Sequence, residues 1–368
     1  MYKPDFNNSI TNFSNSILKR FNVDTYHPSI KKIDDLIKNK KKIVVFLFDG
    51  IGDNILKLHL NEKSYLRSHV VHTMDATFPP TTVASTNSLL SGKFPIENGW
   101  IGWSQYFKDY NRNVAVFWNT DDDTDEYLGK ESIIRKYASY ERIDSLINKV
   151  NKKNIAKAIF GHPIDSRDKR VRFLNKFINR AFASADSKEQ SFIYAYWNKP
   201  DSILHVKGTK SERVHNNILK IQKLLKYNAK KHPEVAYFVI ADHGLIDVDY
   251  LSLSSHPDLV ETLVRYPSFE SRTSNFFVKD GKKEVFSKLF KEYFGKYFEL
   301  YTKEEVFENH MFGEGTPHKM ANEFIGDFIA VAIDKYCLSM NDYPHKLKAH
   351  HAGGTKEEFL IDVMYFGD

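Results

Sequence analysis

Cysteine is almost missing from this chain, since Cys337 is the single one among 368 residues. One cysteine excludes an intramolecular disulfide framework and a structural zinc site built from several thiolates. Disulfide frameworks are typical of small secreted domains. We therefore expect a reduced, cytoplasmic protein that depends on a packed core for its stability.

Long apolar segments are missing too. The first 21 residues, MYKPDFNNSITNFSNSILKRF, do not contain the apolar centre of a signal peptide. No stretch approaches the roughly 18 consecutive apolar residues that a membrane-spanning helix needs. We expect no membrane partner.

A strong excess of one charge is also lacking. The 53 Lys and Arg residues against 47 Asp and Glu residues leave a formal net charge of +6. This balance favours small anionic partners such as phosphoryl esters, but it does not form the continuous basic stripe of a nucleic-acid binder. The longest basic run, residues 38–42 with Asn39 inside it, precedes an apolar strand and is interpreted as its solvated edge. A nucleic-acid partner is not expected, and the oligomeric state stays open.

What the chain does contain is a set of apolar runs that end abruptly in polar residues. They are KKIVVFLFDGIGD (41–53), NVAVFWNTDDD (113–123), SFIYAYWNKPD (191–201) and VAYFVIADHG (235–244). Such nearly continuous apolar strands are typical of a sheet that helices cover on both faces.

Helical patterns alternate with these strands, at 81–92 between Thr and Gly and at 211–231 with regularly spaced apolar residues. The alternation predicts an α/β fold, a three-layer α/β/α sandwich around a mostly parallel central sheet. We expect an N-terminal helical extension at 1–40 and a catalytic core at 41–249 and 346–368. Residues 250–345, with a Lys-rich helix at about 283–292, are interpreted as a small α+β insertion that shapes the substrate pocket.

Acidic and histidine side chains gather where these strands should end. Asp49, Asp201 and Asp242 follow three of the runs, His205 comes four residues after Asp201, and His243 is adjacent to Asp242. Functional groups in open α/β sheets gather beyond the carboxyl ends of the strands. Taken singly, the same residues are ordinary caps, turns or surface groups. Together they predict a metal centre, and the mixture of carboxylates and imidazoles suits Zn²⁺, with Mn²⁺ as the alternative.

A nucleophile candidate lies in TFPPTTVASTNSLLSG, residues 77–92. Thr82 stands at the start of the predicted helix, where free N–H groups and the helix dipole favour an anion such as phosphate. A neighbouring cation would lower the pKa of its hydroxyl. The alternatives are a plain capping role, and Thr81 rather than Thr82 as the cap.

These segments resemble, in chain order, the motifs of the alkaline phosphatase superfamily, in particular those of its type I phosphodiesterases and nucleotide pyrophosphatases. The matching segments are FLFDGIGD, TTVASTNSLLSGKFPIENGWIG, PDSILHVKG, ADHG and HHAGGTKEE. The resemblance implies an alkaline phosphatase-like fold and a hydrolase with two metal ions. It also implies cleavage of phosphodiester or pyrophosphate bonds, with nucleotide-type substrates, through a covalent phosphothreonine on Thr82.

The resemblance assigns a ligand set to each ion. The first set would be Asp201, His205 and His351, where gapless matching selects His351 over His350. The second set, beside Thr82, would be Asp49, Asp242 and His243. Two such ions would most simply be Zn²⁺, with Mn²⁺ as the alternative.

One position departs from the family pattern. The family usually has Asn directly after the last Gly of the nucleophile segment, where it binds a phosphoryl oxygen, and this chain has Trp103. An indole can donate one hydrogen bond, pack in the core or stack on an aromatic group. Asn87 and Asn98 are candidate substitutes for the lost amide, so Trp103 and Asn87 are candidate substrate-binding residues.

Other functions stay open. A phosphomonoesterase or phosphonate hydrolase would use the same core, but no motif places an Arg to bind the extra phosphoryl charge. A non-catalytic binding protein of this fold would have lost a ligand or the nucleophile, and none is lost.

Overall fold

The computed structural model describes residues 1–152, 155–162, 169–340 and 347–367, which form helices around two main sheets. The helices of the N-terminal half are α1 (Ile10–Arg20), α2 (Lys31–Ile37), α3 (Asp53–His59), α4 (Thr82–Ser91), α5 (Pro95–Asn98), α6 (Ile133–Tyr137), α7 (Ile143–Asn151) and α8 (Leu174–Asp186). Those of the C-terminal half are α9 (Asp201–Lys207), α10 (Glu212–Lys231), α11 (Pro257–Val260), α12 (Lys283–Phe294), α13 (Lys303–Glu308), α14 (Ala321–Phe324) and α15 (Lys356–Phe359).

The described residues also form strands, which are numbered in chain order. The first eight are β1 (Lys42–Phe48), β2 (Val70–Asp75), β3 (Ser104–Phe107), β4 (Arg112–Ala115), β5 (Thr120–Asp121), β6 (Ala156–Phe160), β7 (Ser191–Trp197) and β8 (Val235–Ile240). The others are β9 (Ile246–Asp247), β10 (Asp249–Ser252), β11 (Ser268–Phe269), β12 (Thr273–Phe276), β13 (Phe298–Thr302), β14 (Phe328–Ala332), β15 (Tyr336–Ser339), β16 (Ala349–His350) and β17 (Leu360–Phe366).

The central sheet has the strand order β2-β17-β8-β1-β7-β6. The neighbours β8, β1, β7 and β6 run parallel, whereas β17 is antiparallel to both β8 and β2. The predicted mostly parallel sheet is therefore confirmed, and the final strand of the chain makes it mixed.

Helices cover both faces of this sheet. Tyr237 and Phe238 are consecutive in β8, so their side chains point to opposite faces. The Tyr237 ring lies 5.1 Å from Phe182 of α8, and the Phe238 ring lies 5.1 Å from Phe13 of α1. The predicted three-layer α/β/α sandwich is confirmed.

The second sheet is antiparallel and has the order β13-β14-β12-β11-β3-β4-β5. The run 113–123, expected in the central sheet, instead forms β4 and β5 here. Helix α12, predicted at about 283–292, packs on one face of this sheet, with Phe290 5.6 Å from Phe276 of β12. Strands from 104–121 thus pair with strands from 268–332. The division into extension, core and insertion stays a prediction, and its boundary at 345 and 346 lies outside the described residues.

The two helices predicted from their ends are present as α4 and α10. Gly92 closes α4 in the left-handed conformation with φ 72°, and the Ser211 hydroxyl caps α10 by accepting the N–H of Arg213. Within the described part of the chain, no helix combines the length and the apolarity needed to cross a membrane.

The C-terminal segment is held against the end of β8 by a pair of two-residue strands. Strand β16 pairs antiparallel with β9, so that His350 lies opposite Ile246. Residue 351 therefore comes close to residues 242–244, although more than one hundred residues separate them in the chain.

A buried ion pair joins the second sheet to the same C-terminal segment. The Arg272 guanidinium, ahead of β12, donates from Nε and Nη2 to the two oxygens of Glu358, at 2.7 and 2.9 Å. Neither side chain is exposed to solvent. Glu358 also accepts the Gly353 N–H at 2.7 Å and the Thr355 hydroxyl at 2.8 Å. This pair therefore fixes the loop that follows His351.

We expect Arg272→Met to lower the free energy of unfolding by about 3–5 kcal/mol, because the Glu358 carboxylate loses its counter-charge inside the protein. Urea unfolding followed by circular dichroism measures this change. Lys31→Met, which breaks an exposed ion pair with Asp35, is the control and should change stability little. Equal unfolding midpoints for Arg272→Met and the unmodified protein would contradict this assignment.

Candidate active site

A cavity of about 710 Å³ opens at the carboxyl ends of the central parallel strands. Strand β1 ends in Phe48, which pairs with Trp197 at the end of β7, and Leu47 pairs with Ile240 at the end of β8. The residues that follow these strands consequently lie together. They include Asp49, Asp201, His205, Asp242 and His243, and β16 brings His351 to the same place. These six candidate ligands form two groups, each with its ligand-capable atoms within 4.8 Å of one another.

The first group consists of Asp49, Asp242 and His243. The His243 Nδ1 lies 3.1 Å from the carbonyl oxygen of Gly244 and must be the protonated nitrogen, because a carbonyl only accepts. The Nε2 lone pair then points to the carboxylates, 3.4 Å from Asp49 Oδ1 and 3.6 Å from Asp242 Oδ2. A second hydrogen bond that orients the ring in this way is typical of metal-binding histidines.

The second group consists of Asp201, His205 and His351. Asp201 and His205 lie one turn apart on α9, which puts both side chains on the same face. The His205 Nδ1 donates to the carbonyl oxygen of Ala349 at 2.8 Å, so its Nε2 faces Asp201 Oδ1 at 3.2 Å. Both histidines of known orientation thus present Nε2 to the carboxylates of their group.

The two groups are adjacent. The Asp201 N–H donates to the Asp49 carbonyl at 3.0 Å, and the rings of His243 and His351 stack with centroids 3.8 Å apart. Gly50 makes this approach possible. Its φ is +77°, its N–H donates to Asp242 Oδ1 at 3.1 Å, and a Cβ there would lie 3.0 Å from the Cβ of Asp201.

Burial sets the protonation of these groups. It raises the pKa of Asp49 well above the usual range, with a further increase from the carboxylates of Asp242 and Asp201. It likewise raises the pKa of Asp242 to about 7. Burial lowers the pKa of His243 and lowers that of His351 far more, which keeps both imidazoles neutral and able to bind a cation. Asp49 and Asp242 therefore have no cationic side chain within their own group.

His205 differs from the other two histidines. Burial lowers its pKa, but the charge of Asp201 and the hydrogen bond to it more than offset this effect and raise the pKa to about 9. Burial also acts to raise the pKa of Asp201, and the His205 charge reverses the direction and lowers it. The proton on His205 therefore supplies the counter-charge of the Asp201 carboxylate.

Two polar atoms at the site are buried and have no hydrogen-bond partner, namely Asp242 Oδ2 and His351 Nδ1. Buried polar atoms normally find a partner, so atoms without one need a physical explanation. One of them belongs to each group. Six N and O donors in two groups, with free lone pairs in both, fit a pair of divalent cations.

Thr82 lies at the first group. It is the first residue of α4, with Thr81 as the N-cap, and it lines the cavity. Its Oγ1 is 3.1 Å from His243 Nε2 and 3.4 Å from each carboxylate oxygen of Asp49. The N–H groups of the first helical turn, which lack acceptors inside the helix, are available to an anion at this position.

The residues proposed to replace the family's Asn lie in different places. Trp103 lines the cavity. Asn87 is fully buried, donates to the Val83 carbonyl at 2.8 Å and accepts the Tyr140 hydroxyl. Asn98 is also buried and accepts the Trp100 N–H at 2.8 Å. The described lining residues therefore include Trp103 and neither amide.

Two residues of the site had not been predicted. The Tyr196 hydroxyl donates to Asp49 Oδ2 at 2.5 Å and so orients that carboxylate. Glu270 is buried, which raises its pKa to about 7, and its Oε1 accepts the Thr81 hydroxyl at 2.6 Å and the Trp103 N–H at 2.9 Å. Tyr196 lies within the apolar run 191–201 and next to Trp197, the last residue of β7, a position that could have drawn attention. Nothing in the sequence around Glu270 signals its position.

The comparisons with known proteins agree with this geometry. A sequence-family model described as "Type I phosphodiesterase / nucleotide pyrophosphatase" matches residues 43–355. No curated protein sequence matches the chain significantly.

Solved structures with the same fold include human ectonucleotide pyrophosphatase/phosphodiesterase 5, with a TM-score of 0.66 and 20% identity over 89% of this chain and 88% of that chain. The murine protein gives a TM-score of 0.64 at 18% identity, with the same coverage of both chains. An inactive variant of the murine protein in complex with AMP gives a TM-score of 0.63 at 17% identity, over 89% of this chain and 88% of that chain. At these identities the similarity establishes the fold.

Divalent cations should stabilise the chelator-treated protein. At a hundredfold excess over the dissociation constant, Zn²⁺ or Mn²⁺ should raise Tm by at least about 4 °C, because ions that bind only the folded state stabilise it. Asp242→Asn should lose most of this increase. Asp75→Asn, which alters a buried carboxylate outside the site, should keep it. Differential scanning fluorimetry measures all three, and an undiminished increase in Asp242→Asn would contradict the assignment of the first group.

Stability of the ion-free protein should fall between pH 7 and pH 9. The pKa of His205 rises from 6.5 to about 9 on folding, so its stabilising contribution is complete below 6.5 and is lost as pH rises through 9. Asp242 and Glu270, with pKa values raised to about 7, act in the same direction at the lower end of this range. Urea midpoints across the range measure the effect. His205→Gln should flatten the slope, and an unchanged slope in that variant would rule out His205 as its source.

Proposed function

We propose, because this chain belongs to the type I phosphodiesterase / nucleotide pyrophosphatase family, that it hydrolyses phosphodiester or pyrophosphate bonds with Thr82 as the nucleophile. Family membership makes the protein a phosphoric ester hydrolase. The observation that carries the finer proposal is the position of Thr82 Oγ1, 3.1 Å from His243 Nε2 and 3.4 Å from both oxygens of Asp49. A hydroxyl at the edge of a buried cluster of candidate ligands is well placed to become a nucleophile.

The proposal includes two divalent cations, Zn²⁺ in the first instance and Mn²⁺ as the alternative. One would be held by Asp49, Asp242 and His243, and the other by Asp201, His205 and His351. Bound there, the cations would offset the charge of the phosphoryl oxygens and lower the pKa of the Thr82 hydroxyl. The mixture of imidazole and carboxylate donors and their unpartnered buried atoms support this part of the proposal.

The chain's own residues account for positioning. Tyr196 and the backbone of Gly50 orient the carboxylates of Asp49 and Asp242 by donating hydrogen bonds. The N-terminus of α4 offers N–H groups to a phosphoryl oxygen, which places phosphorus next to Thr82 Oγ1. Oγ1 loses its proton as its new bond to phosphorus forms, and the bond from phosphorus to the leaving oxygen breaks, so that this oxygen departs and takes up a proton as the alcohol. Water then attacks phosphorus, releases the Thr82 hydroxyl and yields a phosphomonoester.

The cavity favours diesters over monoesters. Among the described residues that line it, none is Lys or Arg, so a doubly charged monoester would lack a side-chain cation beyond the ligand groups. A diester carries one negative charge fewer. The murine structural neighbour was solved with AMP, which makes nucleotide esters suitable first substrates. The expected cytoplasmic location stays a prediction.

Thr82→Ala should reduce kcat on bis(p-nitrophenyl) phosphate by at least about 1000-fold, because the attacking oxygen is removed. Thr82→Ser keeps that oxygen and should stay within about tenfold of the unmodified protein. The measurement is nitrophenolate release with Zn²⁺ or Mn²⁺ present, and p-nitrophenyl phosphate should be the poorer substrate.

Thr86→Ala is the matched control, since Thr86 lies one turn further along α4 and donates to the Thr82 carbonyl. It should retain activity. Full activity of Thr82→Ala would refute the proposed nucleophile. Metal binding without hydrolysis of either ester would favour a binding protein of this fold.

A further inference from the structure

His350 is a histidine of the cavity that belongs to neither ligand group. It precedes the candidate ligand His351 and lines the same cavity as Thr82. Its ring centroid lies 5.1 Å from that of His205 and 5.2 Å from that of His351. His350 therefore lies beside two members of the second group, whereas Thr82 lies at the first.

The Nδ1 atom of His350 is occupied by the backbone. It lies 3.0 Å from the His351 backbone nitrogen and 3.0 Å from the His351 carbonyl oxygen, so it could accept from the first or donate to the second. In the described part of the chain the buried His351 N–H has no other acceptor, and a buried N–H is rarely left without one. Nδ1 is therefore the acceptor.

This hydrogen bond fixes the proton of the His350 ring. A nitrogen that accepts a hydrogen bond carries no proton, so the ring is the neutral imidazole with its single proton on Nε2. Every hydrogen bond between the ring and the described residues falls on Nδ1. Because the ring lines the cavity, its Nε2–H group can donate to an oxygen of a bound substrate.

Neutral donors are important here because cationic side chains are missing. The described lining of the cavity contains no Lys or Arg, and the amides of Asn87 and Asn98 lie outside it. Charge that develops on the oxygens of a phosphoryl ester must therefore be stabilised by hydrogen bonds from neutral groups in addition to the proposed cations. An imidazole N–H is one such group.

The direction of attack decides which oxygen His350 meets. Thr82 Oγ1 lies at the first group, 3.1 Å from His243 Nε2. In an in-line displacement the leaving oxygen departs on the side of phosphorus opposite to the attacking oxygen. The second group adjoins the first through the stacked rings of His243 and His351. The leaving oxygen accordingly faces the second group, where His350 lies.

We propose that His350 is a catalytic residue that donates a hydrogen bond from Nε2 to the leaving oxygen of the substrate. This role rests on the proposed function. As the bond from phosphorus to that oxygen breaks, its electron pair stays on the oxygen, and the Nε2–H group stabilises the charge that develops there. His350 keeps its proton, and the departing oxygen takes up a proton from water.

A non-bridging phosphoryl oxygen is the alternative acceptor. A donor to that oxygen would accelerate the cleavage of different esters by similar factors, because every ester presents the same non-bridging oxygens. A donor to the leaving oxygen helps a strongly basic leaving group more than a weakly basic one, since more negative charge gathers on the oxygen. The two roles thus differ in how the rate depends on the leaving group.

Two diesters and two variants test the proposal. The diesters are methyl p-nitrophenyl phosphate and methyl phenyl phosphate, of which the second has the more basic leaving group. His350→Met removes the donor, whereas His350→Gln gives a side chain of similar length that keeps an N–H donor. The release of each phenol, followed by chromatography with Zn²⁺ or Mn²⁺ present, measures kcat/KM.

The loss should be selective. His350→Met should lower kcat/KM by about 30-fold for the phenyl ester and by about threefold for the p-nitrophenyl ester, so the ratio of the two values changes about tenfold. His350→Gln should keep this ratio within about threefold of that of the unmodified protein. His310→Gln, at an exposed position outside the cavity lining, is the control and should keep both rates.

Both variants at position 350 remove the ring, so a purely structural role next to His351 would affect them alike. Equal losses on the two esters in His350→Met, or the same change of ratio in both variants, would overturn the donor to the leaving oxygen and leave the hydrolase proposal intact. Failure of the unmodified protein to cleave either ester would overturn the hydrolase, and this role of His350 with it.

The position of the proton is tested without turnover. In the chelator-treated protein with isotope-labelled histidine, proton–nitrogen correlation spectra should show the His350 ring with its proton on Nε2. The spectrum of His350→Gln identifies these signals, because they are absent from it. A proton on Nδ1 would overturn the proposed donor.

Discussion

The parallel ends of β8, β1 and β7 are the constraint on which the rest of the site depends. Because these three strands are neighbours, the residues that follow them bring the carboxylates of Asp242, Asp49 and Asp201 into one buried region. Burial without a counter-charge raises the free energy of the charged carboxylates, and this raises the pKa values of Asp49 and Asp242. The neutral imidazoles of His243 and His351 offer lone pairs rather than counter-charge, whereas His205 carries a proton beside Asp201. The donors of this region therefore fit divalent cations, and Thr82 lies at its edge.

The second sheet completes the cavity and also holds the site together. The buried pair Arg272–Glu358 ties β12 to the loop after His351, and Glu270 ties β11 to Thr81 at the start of α4. The Thr81 hydroxyl donates to Glu270, and no side-chain cap hydrogen bond is formed at this N-cap. The central sheet thus positions most of the candidate ligands, and the second sheet fixes the start of α4 and forms another wall of the cavity.

Local sequence features predicted the parts of the site that depend on chain neighbours. Strand ends located Asp49 and Asp242, the four-residue spacing placed Asp201 and His205 on one helix face, and the Thr and Gly ends located α4. The remaining parts of the site depend on pairing between strands that are distant in the chain, which local sequence features did not predict. The run 113–123 has the pattern of a central strand but pairs with β3 in the second sheet, and the position of Glu270 results from the pairing of β11 with β3. Asn87 has the chemistry of a phosphate ligand, but its helix turns it inward toward Tyr140.

The proposed function depends most on one claim, that each of the two ligand groups holds a divalent cation. Anomalous diffraction at the zinc edge from a zinc-soaked crystal tests it most directly. We predict two peaks, each about 2.0–2.2 Å from its N and O ligands. One peak would lie among Asp49, Asp242 and His243, and the other among Asp201, His205 and His351. A crystal in which zinc binds elsewhere and neither group holds an ion would contradict the account.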